Sequence, residues 1–188
     1  MRKQRFIIGF VMGIGLAVAA GNVEAKEKQF HATFAGTDIN KDDFSFTGEP
    51  RVDNLILAGK STLGEYTVQA VEAAQPDGKT CTPPDGGNGV ELVISDAAYV
   101  LSFPERGENL FLRVSPGLTS HACLNPDTFV ASVQATFDVS GGTGRFEGAS
   151  GTISETLLFI GLARPSPPGR GFFASKTGTF DGTIELAE

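Results

Sequence analysis

The sequence predicts an all-β protein, an antiparallel sandwich or a closed barrel, and three observations carry that expectation. Apolar and polar residues alternate with period two in segment after segment. Each such segment is bounded by Gly, Pro, Asn or Asp, the usual turn formers. No run of a dozen residues shows a capped helical stripe. The clearest segment is FVASVQATFDV, residues 129–139. Phe129, Ala131, Val133, Ala135, Phe137 and Val139 occupy one phase, and Val130, Ser132, Gln134, Thr136 and Asp138 the other. That pattern describes a strand with one face in a core and one in water.

Residues 1–25 stand apart from this fold. MRKQR is a basic n-region, FIIGFVMGIGLAVAA is an apolar run of 15 residues, and NVEA ends in a small residue. The pattern is that of a secretory signal cleaved after Ala25. The apolar run is shorter than the roughly 20 residues of a membrane span and is interrupted by glycines. Residues 26–188 are then expected to form one soluble domain, secreted or periplasmic. No second apolar stretch occurs toward the C-terminus, so membrane insertion is not expected.

The elements of that domain come in order. QFHATFAG (29–36) reads as a strand, and DINKDDFSFTGEPRVDN (38–54) as a polar surface loop. GEYTVQAV (64–71) is strand-like; VQAVEAAQ (68–75) tempts a helical reading but is too short to sustain one. QPDGKTCTPPDGGNG (75–89) reads as a loop carrying Cys81. GVELVI (89–94), AAYVLSF (97–103), NLFLRVS (109–115) and residues 129–139 are the next strands. GTISETLLFIG (151–161) is another, ARPSPPGRG (163–171) is a stiff loop, and GTFDGTIEL (178–186) closes the series. Eight to ten strands are expected, packing an interior of phenylalanines without any tryptophan.

Charge and cysteine content narrow the function classes. Removing residues 1–25 leaves 12 of the 15 basic and 21 of the 22 acidic residues, a net charge of −9. With no basic cluster, binding to nucleic acid or to an anionic membrane is disfavoured. Cys81 and Cys123 are the only cysteines, and in an oxidising compartment such a pair is expected to form a disulfide. A zinc site of Cys81, His121 and Cys123 would have three ligands and no paired C-x-x-C spacing, so it is set aside.

The stretch FDVSGGTGRFEGASGTI (137–153) suggests at first a phosphate-binding loop. Such a loop must open a helix whose amides meet the pyrophosphate. The residues after Gly151 are instead rich in β-branched and aromatic types, and Glu147 stands where the fingerprint requires glycine. The stretch is expected to be a hairpin. Gly141, Gly142 and Gly144 would supply positive φ, and Gly148 and Gly151 a bulge or close backbone approach. Phe146 would plug an end of the core, with Arg145 and Glu147 facing outward.

GGTGRFEGASG (141–151) also resembles the glycine-rich segment of the allene oxide cyclase and dirigent barrels. The whole mature region is similar to uncharacterised bacterial secreted proteins of that class. It shares an early D-x-N-x-D loop, a Cys after a Pro/Gly-rich stretch, and the hairpin of Leu101, Phe103 and Glu108 to Phe111. A second Cys before an Asp/Asn turn and the terminal GTFDGTI complete the set. The resemblance implies a compact, calycin-like antiparallel barrel of about eight strands. It implies an activity less directly. The cyclases isomerise an unstable fatty-acid epoxide, and dirigent proteins steer radical coupling. No catalytic residue is carried over from either.

Among other constellations, Asp38, Asn40 and Asp42 alternate, with Glu49 at the twelfth position of a would-be calcium loop. Asp43 replaces the glycine of the sharp turn, so a solvated acidic loop is the competing reading. His31 is expected on a wet strand face and His121 in a loop. GASG (148–151) lacks the nucleophile-elbow pattern and its strand–turn–helix setting. No pair of carboxylates is singled out by spacing. No cofactor is expected unless calcium binds. The function expected is a noncatalytic binding or interaction module, with a small hydrophobic ligand as the natural partner. A cofactor-free isomerase or dirigent-like template, and a calcium-stabilised surface protein, are the alternatives.

Overall fold

The computed structural model describes residues 26–40, 51–118, 120–163 and 172–187. The leader, most of the 38–54 loop and the 163–171 connection therefore lie outside the described residues, apart from their edges. Nine antiparallel strands are present: β1 (Lys26–Asn40), β2 (Arg51–Ser61), β3 (Gly64–Cys81), β4 (Gly89–Phe103), β5 (Glu108–Val114), β6 (His121–Leu124), β7 (Val130–Gly142), β8 (Ser150–Ala163) and β9 (Phe172–Leu186). β1 to β5 pair in sequence, β6 to β9 likewise, and β9 returns to β1. The hydrogen bonds therefore close on themselves. The ring has eight positions rather than nine. Short β5 and β6 share one position between β4 and β7, β5 at one end and β6 at the other. The result is barrel-like but uneven.

Two strands escape the alternation pattern, and two expected strands are one. In β2, Leu55 and Leu57 point inward while Ile56 on the other phase is exposed, so apolar residues fall on both faces and blur the period. In β6 there are only four residues. The segments 89–94 and 97–103 are continuous in β4. Opposite the step between Ala73 and Ala74 the register slips, leaving Ser95 as an extra residue. The inward phase therefore changes from Leu92 and Ile94 to Ala97, Tyr99, Leu101 and Phe103. Residues 75–81, read as loop, extend β3 through a second irregularity between Pro76 and Thr80. Residues 68–75 lie in β3, so the brief helical pattern is overridden by cross-strand pairing.

Aromatic rings pack together in the interior, among buried leucines, isoleucines and valines. Phe34 and Phe180 lie 4.7 Å apart, as do Tyr99 and Phe137, and Tyr99 meets Phe180 edge-on at 6.0 Å. Such offset and edge contacts are the favoured aromatic geometries. Nearer one end, Phe103 packs against Phe146 at 5.1 Å and Tyr66 at 5.9 Å.

That end is shut by the glycine-rich connection. After β7 the chain makes one turn of 3-10 helix, Gly144–Phe146, and resumes as strand at Ser150. Phe146 is fully buried. Gly144 has φ of 62°, open to glycine at little cost. Gly142 differs from the expectation, because it does not have positive φ. It is needed for room: a Cβ there would lie 2.1 Å from the Asn109 carbonyl oxygen. Arg145 also departs from its expected outward pose, since a 3-10 turn has no pleat to alternate. Its guanidinium carbon stacks 4.7 Å from the Phe146 ring centre and 5.2 Å from that of Phe103. Nε pairs with Glu108 at 2.9 Å, and Nη2 donates to the Leu63 carbonyl. Glu147 is exposed.

Candidate functional site: a polar chamber at the charged end

Each of four strands carries one charged residue in phase with buried neighbours. Asp38 comes after Phe30, Ala32, Phe34 and Gly36 on β1. Glu72 comes after Tyr66, Val68 and Ala70 on β3. Glu155 sits between Ile153 and Leu157 on β8, and Lys176 between Ala174 and Gly178 on β9. Strand alternation therefore turns all four into the ring, where they are buried. They gather toward the end opposite Phe146.

Tyr99 and Lys176 join the carboxylates. The Tyr99 hydroxyl donates to Glu72 Oε1 and stands 3.3 Å from Glu155 Oε2. Lys176 Nζ donates to Glu72 Oε2 at 3.3 Å and pairs with Asp38 Oδ2 at 3.4 Å. The ammonium also lies 5.8 Å from the centre of the Phe159 ring, a weak cation–π contact. Removing a carboxylate from water favours its neutral form. Burial, and then the charge of Glu72, pushes the Glu155 carboxyl up to about 8, against the opposing pull of Lys176 and Tyr99. At neutral pH Glu155 is thus mainly protonated. A phenol has a single hydrogen to give, and it goes to Glu72. Burial, followed by the charges of Glu155 and Glu72, raises the Tyr99 hydroxyl well above its usual value and keeps it a donor.

Above this cluster lies a half-enclosed cavity of ≈ 40 Å³. Glu72 and Lys176 form its polar floor. Ala74, Leu92, Ala122, Ala131 and Phe159 are among its apolar walls. The volume suffices for a few waters or the first atoms of a ligand, since one water needs about 10–15 Å³. It is far below the roughly 300 Å³ of a site that engulfs a drug-sized molecule. A larger hollow of ≈ 510 Å³ lies on the outer face of β2, β3 and β4 beside Ile56, Val71, Ala98 and Val100. It is shallow, and among the described residues Gln69 is the one polar side chain lining it, which gives a ligand little to orient on.

The residues singled out in the sequence are distributed differently. Cys81 and Cys123 form a disulfide, Cα to Cα 5.8 Å, tying the end of β3 to β6 near the chamber. Of the calcium set, Asp38 faces Lys176 inside the ring, Asn40 ends β1, and Asp42 and Glu49 lie outside the described residues. Among the described residues no three His, Cys, Asp or Glu side chains group as a metal site. His31 is on the wet face, 2.5 Å from Asp181 across the β1–β9 pair. His121 begins β6 rather than lying in a loop. The glycine-rich residues shut the opposite end. Glu72, Tyr99, Glu155 and Lys176 belong to no motif, although a charge on the apolar phase of a strand is a legible signal. Comparison with protein-family models, with curated proteins and with solved structures found no match.

Proposed function

We propose that this protein is a secreted or periplasmic binding module, a small barrel of the allene oxide cyclase and dirigent type. It holds a small, largely apolar molecule at its charged end without transforming it. The observation that carries the reading is the apolar-walled cavity with a charged floor, at one end of a ring that aromatic and aliphatic side chains otherwise fill. A ligand would seat its head on the floor and leave its body at the mouth, because the interior below is packed with rings. The glycine-rich segment supports the family assignment, and the disulfide fits an oxidising compartment. Native mass spectrometry of protein purified from its own host tests the reading. A retained small-molecule adduct that leaves on denaturation is expected, and a bare protein mass under gentle conditions would count against it.

A second reading, a cofactor-free isomerase or templating protein, is favoured by one feature. Tyr99 links a protonated acid, Glu155, to a second carboxyl, Glu72, that is paired with Lys176, in the manner of an acid–base pair. An extracted ligand whose isomer composition changes on re-incubation with the protein would support it, and an unchanged composition would favour simple binding.

A further inference from the structure

The charge arrangement on the chamber floor narrows the class of molecule the site can hold, and this narrowing rests on the binding reading proposed above. Both polar groups lining the cavity belong to one buried ion cluster, in which Lys176 also pairs with Asp38. Glu72 Oε2 and Lys176 Nζ are 3.3 Å apart. Both residues are more than nine-tenths buried. Glu72 has one oxygen on Tyr99 and the other on Lys176, yet a carboxylate offers about four lone-pair directions, so it can still accept. A head group entering the cavity therefore meets an acceptor and a positive charge side by side, with hydrocarbon all round.

We infer that the chamber selects a neutral amphiphile with a hydroxyl head, of the alkanol type, over the matching carboxylate or ammonium. A hydroxyl donates its hydrogen to Glu72 while its oxygen faces the Lys176 charge, so both ends of the O–H dipole are matched. A carboxylate head would be attracted by Lys176 but would lie against Glu72 with no hydrogen to offer. An ammonium head would suit Glu72 but would lie against Lys176. Either ion would also lose its hydration on entering the apolar slot, a cost that an already paired floor does not offset. The tail would run between Ala74, Ala122 and Ala131, whose small side chains leave the slot open.

The test compares hexan-1-ol, hexanoate and hexylammonium by ligand-observed NMR titration against the disulfide-bonded protein at neutral pH. Hexan-1-ol is expected to bind roughly tenfold or more tightly than either ion, the penalty for leaving a charged group without a partner. Ala74→Leu, which narrows the slot and leaves the ion pair alone, is expected to abolish the binding while the circular dichroism spectrum is retained. Equal or tighter binding of hexanoate or hexylammonium overturns the hydroxyl assignment and leaves the binding-module reading standing. Binding of hexan-1-ol undiminished in Ala74→Leu overturns the location. No saturable binding of any of the three by folded protein overturns both this inference and the reading beneath it.

Discussion

The two ends of the ring solve the problem of closing a β-structure in opposite ways. At the glycine-rich end Phe146, Phe103 and Tyr66 fill the interior, and Arg145 lies across two rings as a cover. At the other end the inward positions hold Asp38, Glu72, Glu155 and Lys176, with a small cavity above them. Apolar filling is the cheaper way to complete a core, because buried ions must recover their hydration from one another. A core that has rings for one solution yet uses the other at one end points to a role for that end beyond stability. The proposed binding site rests on this contrast within one molecule.

Substitutions can sharpen that contrast. Phe180→Ala removes the ring shared by Phe34, Tyr99 and Phe137, and an unfolding free energy lower by about 3–5 kcal/mol is expected in urea titrations. Lys176→Met should cost a similar amount, about 3–5 kcal/mol, for another reason: two buried carboxylates lose their cation. The two losses are separable by pH. Acid removes the charge of carboxylates in general, so low pH should recover part of the Lys176→Met loss, whereas the cavity left by Phe180→Ala does not titrate. Equal pH responses of the two variants would erase the distinction between the ends.

A smaller effect concerns Glu155. Its carboxyl holds a proton up to about 8 in the folded chain and releases it near 4.5 in the unfolded one. Between those values the folded state binds the extra proton, so stability falls as pH rises through that window. Glu155→Gln, which imitates the protonated form, should flatten the slope and exceed the parent in stability at pH near 8 by about 2–4 kcal/mol. Thermal melts across the window measure this, and an unchanged slope would mean that Glu155 is ionised throughout. The smallest effect expected is none. With Asp38 turned inward onto Lys176, melting temperatures in calcium and in chelator should coincide, and a rise with calcium would restore the 38–49 loop as a metal site.

Much of the fold is legible in the sequence wherever one strand face is apolar and the other polar. Residues 129–139 and 178–186 show this, and the large apolar side chains of their inward sets are buried, Leu186 at the strand end only partly. Legibility falls where physics masks the period. Ile56 puts an exposed apolar side chain on the outer face of β2, β6 is too short to alternate visibly, and the bulge at Ser95 reverses phase inside β4. The site is less legible for a different reason. Asp38, Glu72, Glu155 and Lys176 lie on four strands far apart in sequence, and only ring closure brings them together. Each is visible as a charge on an apolar phase. Asp38 also falls into a calcium-like spacing with its loop neighbours, and that pattern obscures the face it occupies.

Small molecules should enter at the charged end and nowhere else. Methyl-labelled NMR spectra of the protein titrated with hexan-1-ol test this residue by residue. Shifts confined to Ala74, Leu92, Ala122 and Ala131, with Leu110 and Leu112 near the sealed end unmoved, are the predicted result. Shifts centred on Ile56, Val71 and Val100 of the outer hollow, or no shifts at all, would contradict it.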